Sequence, residues 1–229
     1  MRTLVIIPAF NEAANLAGVI AAIRSQFDGE VLVIDDGSED DSAGEAARAG
    51  AVVLRHACNL GIGAAVQTAF LYALGHGYEQ VVRVDGDGQH DPAYIPQFLE
   101  ALAGGDADIV VGSRFLGRKG YQSTASRRIG IVILTVVSAL MGTRVTDPTS
   151  GYWALNRRAL ALLAQDQADD YPETQSLVLA TRAGCRVAEI PVVMQVRGNG
   201  RSSIAGALQS GFYMLKVILA VLVERMRQR

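Results

Sequence analysis

Residues 80–91 read Gln-Val-Val-Arg-Val-Asp-Gly-Asp-Gly-Gln-His-Asp. The run Gln80 to Val84 has the character of a short buried strand, and two aspartates one glycine apart stand where it ends. A turn at Gly86 lets the Asp85 and Asp87 carboxylates converge. Hard oxygen ligands on a tight turn suit Mg2+ or Mn2+, whose remaining positions a diphosphate can fill. Asp-Gly pairs also end strands as plain polar turns. Taken alone, the stretch admits both readings.

Working outward, the flanking chain alternates regularly. Upstream, Thr3 to Ile7 is a strand closed by Pro8, and Glu12 to Gln26 has helical spacing. Val31 to Ile34 is a second strand ending in Asp35-Asp36-Gly37-Ser38, followed by a short helix over Asp41 to Ala49. Ala51 to Leu54 is a third strand and Gly61 to Leu74 the next helix. Downstream, Ala93 to Ala103 is helical and Ile109 to Gly112 is another strand. Such alternation predicts an α/β fold of βαβ units around a mostly parallel sheet flanked by helices. Ligands in such sheets bind beyond the carboxyl ends of the strands. Phe10-Asn11-Glu12, Asp35 to Ser38, Asp85-Gly86-Asp87 and Ser113-Arg114 all fall at such ends, which predicts a ligand site there.

Each motif also has a plainer reading. Asn11 is placed to cap the first helix. Asp36 is either a turn carboxylate or an acceptor for a nucleobase N–H or a ribose hydroxyl. Asn59 to Ala64 opens a helix with two glycines, lacks the third of a dinucleotide fingerprint and follows the third strand, which disfavours a nicotinamide site.

With 229 residues, half of them apolar and under a fifth charged, the chain can bury one large core. A net charge of −2 gives no general pull toward nucleic acid. Cys58 and Cys185 lack metal-ligand spacing and are expected to be reduced, structural thiols. The chain enters a strand at once, without a basic region and cleavage site, so a cytoplasmic location is expected.

The second half is less regular. Ile129 to Met141 is almost wholly apolar, but at 1.5 Å per residue it reaches only ~20 Å of a ~30 Å hydrocarbon core. A buried core helix is one reading of it. Val187 to Val196 reads as a strand, with Pro191 marking an edge or bend. Arg197 to Ser203, rich in glycine, arginine and serine, is either a phosphate-binding loop or a surface loop. From Ile204 to Val223 the tail is apolar, but Lys216 inside it argues for an interfacial or partner-packing helix instead of a span. The expected organisation is one domain over 1–203 and this tail over 204–229.

The motifs PAFNE, DDGS, NLGIGAA, DGDGQHDP, GSR and DPTSGYWALN, in this order and spacing, resemble family-2 glycosyltransferases with the GT-A fold. Within that family the resemblance is to the dolichol-phosphate mannosyltransferase and bacterial polyprenyl-phosphate glycosyltransferase branch. It runs from Leu4 to about Ile204. It implies a nucleotide-sugar donor, a divalent metal (Mn2+ or Mg2+) on the diphosphate, and inversion at the anomeric carbon. Pro8, Phe10, Glu12, Gly86 and Arg201 would line the donor pocket, with Asp36 facing the base. Asp87 would hold the metal with Gln89 as a further ligand, and Asp85 would hold metal, ribose or both. His90, beside this set, is expected to be solvated. Arg114, Arg127, Arg128 and Arg201 would face developing phosphate charge, with Arg127, Arg128 and Ser203 toward an acceptor phosphate. Ile62 and Trp153 depart from many relatives, which carry basic residues there; Trp153 is instead a candidate stacking platform.

The resemblance bears on the acceptor too. A lipid phosphate, already ionised near neutrality, needs little general-base help, whereas a hydroxyl needs a carboxylate to take its proton, and Asp147 is the first candidate with Glu173 the second. The apolar helix 129–141 would then dip into the membrane interface, with Arg127 and Arg128 at its start. Three functions stand side by side: transfer to a polyprenyl phosphate at the cytoplasmic membrane face, transfer to a hydroxyl of a glycan or glycolipid, and a non-catalytic nucleotide-binding scaffold. A membrane surface or integral partner is expected, no nucleic acid, and self-association through the tail is open.

Overall fold

The computed structural model describes residues 1–116, 125–165 and 172–195, with residues 125–130 and 172 described by backbone alone. The expected loop at 197–203 with Arg201 and Ser203, the side chains of Arg127 and Arg128, and the tail 204–229 lie outside the described residues.

The elements follow in the order β1 (Thr3–Ala9), α1 (Ala13–Gln26), β2 (Glu30–Asp35), α2 (Ser42–Arg48), β3 (Val52–Arg55), α3 (Ile62–Gly75) and β4 (Gln80–Arg83). After a 3-10 turn at Pro92–Tyr94 come α4 (Ile95–Ala103), β5 (Ile109–Ser113), α5 (Ala125–Leu140), β6 (Trp153–Asn156), α6 (Arg157–Gln165), α7 (Pro172–Arg182) and β7 (Val187–Pro191). They build one seven-stranded sheet in the order β3-β2-β1-β4-β6-β5-β7. All pairings are parallel except those of β6, which runs antiparallel to both β4 and β5. The mostly parallel α/β sheet expected from the alternation is the one observed.

Strand composition explains why both faces are covered. Leu4, Val5, Ile6 and Ile7 are all inaccessible to solvent, and their side chains alternate between two cores. Leu4 and Ile6, with Leu32 and Ile34 of β2, pack under Phe70 of α3, Leu160 of α6 and Leu177 of α7. Val5 and Ile7, with Val31 and Val33, meet Leu16 and Ile20 of α1 and Phe98 of α4. Each such side chain contributes roughly 1.5–3 kcal/mol by leaving water, so the apolar run of β1 anchors the sheet.

Several expectations change. β6, α6 and α7 were not anticipated, because Trp153–Asn156 spans only two side-chain periods and joins α6 directly. Trp153 is 1% exposed, opposite Arg83 of β4 and Val111 of β5, so it is no stacking platform for a ligand. The last strand ends at Pro191 instead of Val196: Val192 still donates to Ser113, but Val193 and Gln195 donate to Tyr94 Oη and the Gln89 carbonyl.

Helix α5 has one buried and one exposed apolar face. Ile131, Leu134 and Ser138 point inward, whereas Val132, Ile133, Val136 and Leu140 are exposed, Leu140 by 72%. Among the described residues no helix is long and apolar enough to cross a membrane.

Candidate active site

The strand order places the ends of β2, β1 and β4 side by side, and chain direction switches outward on either side of β1. A crevice forms at such a switch point. Here it is a cleft of about 620 Å³, and Pro8, Phe10, Glu12, Asp36, Asp85, Gly86 and Asp87 all line it. Asn59, Gly61, Ile62 and Ala65, from the start of α3, complete the wall. Every donor-site residue expected from sequence and lying among the described residues is therefore brought to one place.

The β1–α1 turn is built differently from expectation. Asn11 adopts a left-handed φ of 55°, which asparagine tolerates better than most residues. It does not cap α1. Its Oδ1 accepts from the Glu39 N–H at 2.8 Å while its own N–H donates to Ser38 Oγ at 2.9 Å. Glu12 N–H donates to Ser42 Oγ at 2.8 Å, so the first turn is strapped to the β2–α2 loop.

Asp36 is buried, and its carboxylate gathers three donors. Leu60 N–H reaches Oδ1 at 3.0 Å and Gly61 N–H reaches Oδ2 at 2.8 Å. His56 Nδ1 stands 2.7 Å from Oδ1, and because a carboxylate only accepts, this ring nitrogen carries the hydrogen. His56 Nε2 meets Thr68 Oγ1 of α3 at 2.9 Å. Gly37 makes room for this arrangement: its φ is +71°, and a Cβ there would lie 2.4 Å from the Cys58 carbonyl carbon. His56 was not singled out from sequence, since nothing local marks it; only the fold carries it to Asp36.

Asp85 and Asp87 follow β4. Asp85 N–H donates to His90 Nδ1 at 3.0 Å, and Asp87 Oδ1 accepts from Gln89 N–H at 3.0 Å. His90 is not solvated as expected. It is 5% exposed and stacked on Tyr152, ring centroids 4.6 Å apart, because Gly88, at φ +77°, turns the chain back under the site. Burial holds its imidazole below the usual histidine range, against the pull of the Asp85 and Asp87 charges. Gln89 is half-buried beside Gln195, its Nε2 3.4 Å from that residue's carbonyl oxygen. Among the described residues no group of three His, Cys, Asp or Glu side chains could hold a metal by itself. At the Asp85-Gly86-Asp87 turn the donor set is two hard carboxylates, which fits Mg2+ or Mn2+ only where phosphate oxygens and water complete the shell.

A fully buried arginine underlies this pair. Arg83 donates from Nε to Asp85 Oδ1 at 3.2 Å and from Nη2 to Glu173 Oε1 at 2.8 Å. Burial works against its charge, but the two carboxylates outweigh that and hold its pKa above the ordinary arginine value. Gly151 closes the pocket, since a Cβ there would be 2.9 Å from Arg83 Nη2 and 3.1 Å from Asp85 Oδ2.

Arg114 and Asp147 form a second unit at the end of β5. Arg114 donates from Nε and Nη2 to the two Asp147 oxygens, each at 2.7 Å, and also to Thr149 Oγ1. Asp147 is inaccessible to solvent. Its backbone N–H and that of Thr146 donate to Glu189 of β7, which sequence reasoning had also passed over. With both oxygens on one guanidinium, Asp147 is built to orient Arg114, and the expectation of a proton-accepting Asp147 does not match its surroundings. Glu173 reaches the site through Arg83, while Arg114 and Asp147 do not line the donor cleft.

Residues 4–163 match the family described as Glycosyl transferase family 2. The chain belongs to this family. It is an enzyme, a glycosyltransferase, and the scaffold reading falls away. An undecaprenyl-phosphate mannosyltransferase of Micrococcus luteus is 31% identical over 219 residues, spanning 91% of this glycosyltransferase and 89% of the relative. A polyprenol monophosphomannose synthase of Mycolicibacterium smegmatis is 32% identical over 218 residues, spanning 90% and 82%. Glucosyl-3-phosphoglycerate synthase from Mycobacterium tuberculosis, solved with Mn2+ and UDP-glucose, superposes with a TM-score of 0.77. At 24% identity, over 100% of this chain and 80% of that one, it shares the GT-A fold.

Proposed function

We propose that this glycosyltransferase moves a sugar, with inversion, from a UDP- or GDP-sugar to a polyprenyl phosphate at the cytoplasmic face of the membrane. The observation that carries the acceptor is the state of the two candidate bases. Asp147 has both oxygens on Arg114 and Glu173 is held by Arg83. A carboxylate in a buried ion pair takes a proton only by breaking the pair, at a cost of about 3–5 kcal/mol. A phosphate acceptor is already ionised and asks for no base. The names of the Micrococcus and Mycolicibacterium relatives point the same way.

In this reading the base lies against Phe10 and Ile62, and Asp36, immobilised by its three donors, faces it without reorganisation. Asp85 and Asp87 would hold the divalent cation, with Gln89 beside them. That cation would neutralise charge gathering on the leaving diphosphate. As the acceptor phosphate oxygen bonds to the anomeric carbon, the bond from that carbon to the nucleoside diphosphate breaks, and the sugar passes through an oxocarbenium-like state. Arg114, pre-set by Asp147 outside the lining of the donor cleft, would direct its fixed positive charge toward the phosphates from the end of β5. Arg127, Arg128, Arg201 and Ser203 are proposed to complete the phosphate contacts. The exposed Val132, Ile133, Val136 and Leu140 of α5 would lie at the lipid surface that presents the acceptor.

Transfer to a hydroxyl is the second reading, favoured only by Glu173, whose side chain keeps 16% exposure beside Asp85. The test is a panel of labelled UDP- and GDP-hexoses with Mn2+ and either undecaprenyl phosphate or a hydroxyl-bearing glycolipid. Transfer to the lipid phosphate, as an acid-labile product, is expected. A donor that raises the melting temperature yet labels only the glycolipid would overturn the phosphate reading.

A further inference from the structure

We propose that Arg83 is a positioning residue that serves as the internal counter-cation of the site. It holds Asp85 and Glu173 together until a nucleoside diphosphate brings in the divalent metal. The inference rests on the metal-dependent donor reading above and deepens it.

The position is unusual for its residue type. Arg83 sits in β4 among Val81, Val82 and Val84, all inaccessible to solvent, and its own side chain is 2% exposed. A guanidinium there is costly to desolvate, so its contacts must be worth keeping. They are two carboxylates from elements far apart in sequence: Asp85, first of the Asp-Gly-Asp pair, and Glu173, at the N-terminus of α7. A Cβ on Gly151 would lie 2.9 Å from Arg83 Nη2 and 3.1 Å from Asp85 Oδ2, so a side chain at this position would crowd the contact.

The charges then dictate a competition. Arg83 pairs with Asp85 and Glu173 at once, so its positive charge stands beside the carboxylate that would meet the metal. A divalent cation approaching Asp85 meets a fixed guanidinium already spending its charge on the same carboxylate. Repulsion between them weakens metal binding to the protein alone. A diphosphate adds negative charge on the cleft side and favours the cation there, while Arg83 retains Glu173. Metal and nucleotide therefore bind synergistically, and by linkage each tightens the other by the same factor.

The test is Mn2+ binding to the full chain, read as free Mn2+ by electron paramagnetic resonance, with and without UDP or GDP. It compares wild type, Arg83→Met, Arg83→Lys and Glu173→Gln. Wild type is expected to bind Mn2+ about tenfold more tightly with the nucleotide than without. Arg83→Met should bind Mn2+ alone about tenfold more tightly than wild type and gain several-fold less from nucleotide than wild type does, while Arg83→Lys keeps the wild-type pattern. Glu173→Gln leaves Arg83 to Asp85 alone and should bind Mn2+ several-fold more weakly. A folded Arg83→Met with wild-type Mn2+ affinity, or Arg83→Lys binding as tightly as Arg83→Met, overturns the proposal. Should Arg83→Met not fold, a Glu173→Gln affinity equal to or tighter than wild type does so. Wild type that binds no Mn2+ even with both nucleotides overturns the metal reading itself, which separates the two failures.

Discussion

Replacing Gly37 by alanine changes one methyl group and should damage both the fold and the donor site. At φ +71° an alanine is held in the left-handed region, at a cost of roughly 1–2 kcal/mol. Its Cβ would lie 2.4 Å from the Cys58 carbonyl carbon, 2.7 Å from Asn59 N and 2.8 Å from Cys58 Cα, all backbone atoms. The 58–61 loop must therefore retreat by roughly 1 Å to reach ordinary contact. That loop carries the Leu60 and Gly61 N–H groups bound to Asp36, and losing one hydrogen bond to a charged acceptor costs about 1.5–3 kcal/mol. Reduced entropy of the unfolded chain returns about 0.4–1 kcal/mol. The net loss is roughly 2–4 kcal/mol, or a fall in Tm of about 5–15 °C for a chain of this size.

The matching control is Gly18→Ala, at an exposed position inside α1 with nothing within 4 Å of the added methyl. Helix propensity predicts a gain of about 0.5–1 kcal/mol there. Thermal melts, each with and without UDP or GDP, measure both effects. Gly37→Ala should melt lower and lose much of the nucleotide-induced shift, while Gly18→Ala melts slightly higher with the shift intact. A Gly37→Ala variant melting within about 2 °C of wild type would refute the steric argument.

Two further outcomes follow from parts of the molecule away from the cleft. Asp108, 3% exposed, accepts from Arg186 N–H and Asn156 Nδ2, both at 2.8 Å, and faces the Arg158 and Arg186 guanidinium groups. Burial opposes its charge, but these partners outweigh it and hold its carboxyl below the ordinary value of 3.8. The stabilisation from ionised Asp108 is complete above that value and lost as pH falls through the lowered one. Asp108→Asn should therefore cost about 2 kcal/mol in urea denaturation at neutral pH and progressively less as pH is taken down below 3.8; a cost that does not fall would contradict the assignment. On α5, Val132→Glu with Val136→Glu places two charges on side chains that are 61% and 54% exposed. Binding to anionic vesicles in co-sedimentation should fall tenfold or more while the nucleotide-induced melting shift stays unchanged, and undiminished vesicle binding would remove α5 from the membrane contact.

The first half of the chain was legible because its signals are local. An apolar strand, a turn at a strand end or an aspartate beside it is written within a few neighbouring residues, as with Ile6, Gly37 and Asp87. Parallel βαβ connectivity then leaves little freedom in where those strand ends meet, so the cleft lined by Phe10, Asp36, Asp85 and Asp87 could be anticipated. The state of those side chains could not. His56 reaches Asp36 across 20 residues, and Arg83 reaches Glu173 across 90. Trp153 and His90 are buried only because β6 inserts antiparallel between β4 and β5 and carries Tyr152 under the site. Local sequence determines where polar groups leave the sheet. Which of them are charged, paired or accessible depends on desolvation and on partners supplied by distant segments, and that only the tertiary structure decides.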